Sequence, residues 1–132
     1  MARIEWAVLC ESAFLDRQDR LCVIGIIRNF SVALPITVRE VTLVARLADI
    51  QPIDEVAIAV GVVFPGGTRG ARMGSDDVHI EMSGEYILTT MRDIPLLEEG
   101  LYHFQIQLRG QPVRSLDVPV VALSRSGWAE VQ

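Results

Sequence analysis

The sequence predicts an all-β chain folded as an antiparallel β-sandwich, immunoglobulin-like or jelly-roll-like, with eight or nine strands. Three observations carry that expectation. Short segments rich in Val, Ile and Leu recur, with turn residues between them at spacings of about 8 to 12 residues. Residues 101–109 alternate without error, Tyr102, Phe104, Ile106 and Leu108 on one face and His103, Gln105, Gln107 and Arg109 on the other. That is the pattern of a half-buried antiparallel strand. Finally, no segment shows a helical period free of a competing strand reading.

The elements follow in order. Residues 4–15 and 21–27 are apolar runs separated by Asp16-Arg17-Gln18-Asp19-Arg20, which predicts a hairpin. The second arm is dominated by β-branched residues and is apolar on both alternations, as expected of a central strand covered on two sides. Gly25 inside it predicts a bulge or a close backbone approach. Pro35 punctuates, and 36–39 forms a short edge piece. In 41–48, positions 41, 43, 45 and 47 alternate as a strand would, while 41, 44, 45 and 48 fit a helical face almost as well. Thr42 and the neighbouring valines favour strand.

Residues 49–55 connect to a strand at 56–64, closed by the turn Pro65-Gly66-Gly67. The polar, Gly- and Arg-rich stretch 68–77 reads as a mobile loop. In 78–82, Val78, Ile80 and Met82 point inward, with His79 and Glu81 toward water. Ser83-Gly84 turns, and 85–94 stays extended up to Pro95. After strand 101–109, Gly110-Gln111-Pro112 turns into a strand at 113–123, with Val118, Val120 and Ala122 alternating against Asp117. Residues 1–123 are therefore expected as one domain and 124–132 as a polar C-terminal tail.

At 132 residues the chain suits one domain, and half its residues are apolar with a mean hydropathy of +0.32, which excludes disorder. No apolar run reaches the roughly 18 residues that span a bilayer, and Glu5 and Glu11 interrupt any secretory pattern at the start. A cytoplasmic protein is expected, with no membrane partner. Net charge is −5 and all 12 basic residues are Arg. The missing Lys removes Schiff-base chemistry and a phosphate-loop lysine, and the acidic balance with scattered Arg argues against nucleic acid.

The segments Ala7-Val8-Leu9-Cys10-Glu11, Leu21-Cys22-Val23-Ile24-Gly25-Ile26, Gly100-Leu101-Tyr102-His103-Phe104-Gln105-Ile106 and Pro119-Val120-Val121 together resemble a family of small uncharacterised bacterial proteins. The resemblance implies a stand-alone β-sandwich that opens on an apolar hairpin and closes on a Gly-x-Tyr-x-Phe strand. It implies no activity and supplies no functional residue. Such proteins often carry a Gly-Lys turn in the first hairpin, where this chain has Gln18-Asp19-Arg20.

Candidate contact residues are few. His79, Glu81 and Asp77 share a strand face and would suit a divalent ion, but alternate polar residues are also what any solvated face presents. His103, beside Gln105 and Gln107, would need a Ser and a carboxylate in space to be catalytic, and no nucleophile elbow accompanies it. Residues 65–70 carry Arg69 in a stretch that lacks the Lys-Ser/Thr step of a phosphate loop and reads as a turn; Arg72 follows in the same loop. Cys10 and Cys22 are expected as free, buried thiols, a cross-strand disulfide being the alternative. Trp128 either folds back onto the sheet, the favoured reading, or anchors a partner.

The expected function is a binding or assembly module without catalysis or cofactor, self-associating through a sheet face or edge. A small-ligand or carbohydrate site around 66–79 is the alternative, and a hydrolase the least favoured reading.

Overall fold

The first hairpin forms where the sequence places it. In the computed structural model, which describes residues 2–50, 58–67 and 78–123, strand β1 (Arg3–Leu15) pairs antiparallel with β2 (Leu21–Ile26). The register runs from Cys10–Ile26 to Leu15–Leu21. Asp16 closes the turn: its Oδ1 accepts from the backbone N–H groups of Gln18 and Arg20 at 2.8 and 2.9 Å. Asp19, at φ 59°, fills the left-handed position that a glycine would otherwise take, a conformation Asp tolerates better than most side chains. Gly25 sits at φ 68°, and a Cβ there would lie 2.8 Å from the side-chain carbons of Glu11. The glycine therefore marks a close approach, with no extra residue inserted.

Strand β3 (Phe30–Val32) crosses to a second layer, and β4 (Ile36–Ala48) returns to the first. Residues 41–48 are strand. The edge piece expected at 36–39 is instead the first third of β4, which runs unbroken for 13 residues because β7 (Tyr86–Leu96) pairs with it from Ile36–Leu96 to Arg46–Tyr86. With β6 (Val78–Ser83) the first sheet has the order β2-β1-β4-β7-β6. Gly84, at φ 58°, takes the first central position of the two-residue β6–β7 hairpin loop. Pro95 lies opposite Thr37 of β4 and beyond the Val78–Met91 pair, so that among the described residues β6 makes no pairing with it.

Two-sided burial belongs to β4, where Val41 through Ala45 are all buried. It does not belong to β2. That strand sits at the sheet edge, with Ile24 and Ile26 exposed, so the expectation of a central second strand is overturned. The five-stranded layer is one strand wider than its partner, and neither edge strand, β2 or β6, holds a buried residue. The same overhang explains β6: Val78 packs on the core, but Ile80 and Met82 on the same face are largely exposed, against expectation.

The second sheet has the order β3-β9-β8-β5, from β5 (Ile58–Val63), β8 (Gly100–Leu108) and β9 (Arg114–Ala122). Its β3–β9 pair is parallel, from Phe30–Val120 to Val32–Ala122, so the sandwich is antiparallel with one exception. Tyr102, Phe104, Ile106 and Leu108 are buried as the alternation requires, and so are Val118 and Val120. Ala122, expected to face inward, is exposed where β9 ends. They meet Leu9, Leu43, Ile87 and Met91 of the first sheet to make one core.

The Gly-x-Tyr-x-Phe strand has a physical explanation. Gly100, at φ 144°, lies under the ring of Pro65, whose Cγ would be 2.7 Å from any Cβ. Pro65 opens the 3₁₀ turn Pro65–Gly67. Two residues on, Tyr102 packs at 5.6 Å on Phe64 and donates its hydroxyl to the Glu98 carbonyl at 3.0 Å.

Candidate interaction surface on the first hairpin

Strand β1 is shared between two neighbours that overlap along it only at Leu9 and Cys10. Its first half pairs with β4, from Arg3–Ala48 to Cys10–Thr42, around an irregularity at Glu5. From Cys10 onward it pairs with β2 instead, on its other side. Past the Cys10–Thr42 pair, the β4-facing side of residues 11–15 therefore has no strand partner among the described residues. The hairpin leaves the sheet there as an arm.

The arm is apolar and only partly covered. Residues 11–26 include Ala13, Phe14, Leu15, Leu21, Cys22, Val23, Ile24 and Ile26, yet not one of the sixteen is buried. Phe14 is 46%, Ile24 52% and Ile26 57% exposed. Contiguous apolar exposure of this kind marks an interaction surface more often than scattered single residues do. At the arm's base an open cleft of about 720 Å³ separates it from the start of β4. Glu11, Gly25, Phe30, Val38, Glu40 and Val41 line it, with the chain from Ile26 to Ser31 as its floor.

The charges of the arm lie at its two ends. The tip carries Asp16, Arg17, Asp19 and Arg20, without net charge, and Asp16 holds Arg20 at 2.7 Å. The backbone N–H of Arg20 and then its side chain keep the Asp16 carboxyl below the usual carboxylate range. The base carries Glu11 and Glu40, and Glu40 meets Arg92 at 3.2 Å. Cys10, at the point where β1 changes neighbours, is fully buried. Its thiol lies 3.4 Å from the carbonyls of Ser12 and Thr42, and burial pushes its pKa up. Cys22 pairs with Phe14, four registers from Cys10, so the two thiols cannot bridge within one chain; both are free.

The residues singled out from sequence lie elsewhere. His79 and Glu81 are exposed on edge strand β6. Asp77, Arg69, Arg72 and Trp128 fall outside the described residues, as does the 68–77 stretch. Among the described residues, no three metal-ligating side chains come together. His103 does meet a carboxylate and a hydroxyl on the outer face of β8 and β9. Its Nδ1 is 2.6 Å from Asp117 Oδ1, to which Ser115 Oγ also donates at 3.0 Å. Gln105 stands opposite Ser115 in the register.

The carboxylate stands between serine and histidine, whereas nucleophilic activation needs the imidazole in the middle. What the arrangement does is fix the histidine ring. The His103 hydrogen bond, then the Ser115 hydroxyl, hold the Asp117 carboxyl below its ordinary value. The arm was missed in the sequence because two-sided apolarity was taken to mean cover from within the chain. That same signal also describes a strand awaiting cover from outside.

Comparison with known proteins adds a family. The chain belongs to the family of unknown function DUF6941. The match spans residues 5–121, which takes in the arm, the cleft and the Gly100-x-Tyr102-x-Phe104 strand. The resemblance drawn from the hairpin and the closing strand therefore leads to a family without an assigned activity. No curated protein matches the chain. Among solved structures, the M1 domain from titin is similar at 12% identity, over 73% of this chain and 87% of that one, with a TM-score of 0.38. No helix among the described residues is long and apolar enough to cross a membrane.

Proposed function

We propose that this DUF6941 chain is a non-catalytic assembly module, a β-sandwich of residues 1–123 with a polar tail, that associates with its own kind through the β1–β2 arm. One observation carries the reading: sixteen consecutive residues, eight of them apolar, fold into a hairpin without a single fully buried side chain. A two-stranded hairpin is marginal in water unless its apolar face is covered, so the arm is stabilised by whatever packs on it. Closed homo-oligomers are the commonest way to cover such a surface. The setting is a reducing cytoplasm, where the two free thiols stay free.

A small-ligand site is the second reading, supported by the His103–Asp117–Ser115 cluster with Gln105 alongside. It offers paired donors and acceptors of the kind sugar hydroxyls use. The cluster lies on an open strand face, with Asp117 mostly exposed, whereas small-molecule sites are concave. The arm therefore takes precedence.

The test is absolute mass by light scattering over a hundredfold range of concentration. A multiple of 14.6 kDa is expected at the upper end. A monomer throughout refutes the assembly reading and turns attention to ligand screens against the β8–β9 face.

A further inference from the structure

The arm's free edge has a geometry of its own, and it points to one particular partner surface. Residues 11–15 of β1 end their pairing with β4 at Cys10–Thr42 and keep β2 on the far side only. Of these residues Glu11 reaches the cleft, which Gly25–Ser31 and the start of β4 otherwise line. A strand laid along the free edge from that end would add to β1 by backbone hydrogen bonds, the mode by which exposed sheet edges recruit partners.

We propose that the entering strand is the same segment of a second copy, the two β1 arms crossing antiparallel about a two-fold axis at Ala13. This deepens the assembly reading and rests on it. Three features select this occupant. Ala13 is the midpoint of the free segment and its smallest side chain, so two copies meet on the axis without a clash. Glu11 then lies opposite Leu15 and Ser12 opposite Phe14, so no like charges are brought face to face.

Charge supplies the second argument. Antiparallel crossing brings Arg17, at the tip of one arm, toward Glu11, at the base of the other. Glu11 and Arg17 have no ion-pair partner among the described residues. Size is the third. Sixteen arm residues and eight more from the cleft (27–31, 38, 40 and 41) fall within the roughly 20–30 residues that a standard interface uses on each side. The outer edge of β2 is the poorer edge, because Gly25 at φ 68° breaks its regularity.

The experiment is disulfide trapping in the full chain. In a Cys22→Ser background, with buried Cys10 left in place, Ala13→Cys puts two thiols across the axis, where facing Cβ atoms are about 4.5–5.5 Å apart. Mild oxidation is expected to convert most of the chain to a covalent dimer. Glu11→Cys alone is expected to stay uncrosslinked, whereas an equal mixture of Glu11→Cys and Leu15→Cys chains gives the mixed dimer. Arg17→Glu should weaken association about fivefold, as loss of two symmetry-related exposed pairs predicts, and Glu11→Arg in the same chain should restore it.

A dimer by mass that Ala13→Cys fails to trap overturns the crossed-arm register and leaves assembly standing. A strict monomer overturns both. A monomer that dimerises once Trp128 is replaced by Ala assigns the cleft to the chain's own tail, and also overturns the proposal.

Discussion

Replacing Ile26 by Ser separates assembly from folding. Full burial of an isoleucine is worth about 1.5–3 kcal/mol, and Ile26 is already 43% covered within its own chain, being 57% exposed. The exposed share therefore leaves about 1–1.5 kcal/mol for a partner to gain. A two-fold interface loses that twice, so association should weaken by about 2–3 kcal/mol, or about 30- to 140-fold in the dimerisation constant. The folded chain itself should lose only the covered share, about 1 kcal/mol. Met82→Ser is the control, since Met82 is 43% exposed on β6 at the opposite edge of the same sheet. Sedimentation equilibrium reads association and urea unfolding reads stability. Equal dimerisation constants for the Ile26 and Met82 variants would refute the argument, because comparable exposure would then carry no positional meaning.

Gly100→Ala should destabilise by at least about 1–2 kcal/mol, since it combines a positive φ with a Cβ set 2.7 Å from Pro65; a urea midpoint equal to wild type would contradict that steric account. Thr89 is fully buried, and its hydroxyl finds no protein partner among the described residues. Thr89→Val should therefore raise stability by about 1 kcal/mol, and a loss on denaturant unfolding would show that the hydroxyl is satisfied after all. Asp117 should titrate by NMR below the ordinary aspartate midpoint of about 3.9, and His103→Gln should move it back up. Because the folded pKa is depressed, the stability this pair contributes is present above the unfolded value and is lost as pH falls through the folded one. Stability that grows on acidification through that range would reverse the sign.

The elements were legible where one alternation held a single environment along its whole length. Residues 101–109 show this best: each inward position lands in the core because β8 is central, with β9 on one side and β5 on the other. Burial at the overhanging edges was not legible. Val78, Ile80 and Met82 obey the same period and face the same way, yet the narrower opposing sheet leaves the last two exposed. Period-2 reasoning identifies a face and is silent on how far the facing layer extends. The contact between His103, Ser115 and Asp117 was equally hidden, since it depends on a pairing that puts His103 opposite Asp117. The exchange between β2 and β4 is the most instructive miss. The β2 run is apolar on both alternations and lies at the edge, whereas Thr42 and Arg46 interrupt one alternation of β4, which lies between neighbours; only strand order tells them apart.

Strand order also shows that the two edges of the five-stranded sheet are not treated alike. The β6 edge alternates apolar residues with His79 and Glu81, and its inward Val78 reaches the core. Charge spaced along an edge is a device that discourages strand addition. The arm has no such guard along its length. Its charges are gathered at the ends, Asp16, Arg17, Asp19 and Arg20 at the tip and Glu11 at the base, and the segment between them is uncharged. A chain that simply tolerated exposed edges would have no reason to treat them differently. An antiparallel copy brings Arg17 of each tip toward Glu11 of the other base, which a parallel copy does not. The Glu11–Arg17 complementarity and the free edge of β1 thus favour the same two-fold arrangement, the first electrostatic and the second set by which backbone groups β4 leaves unpaired.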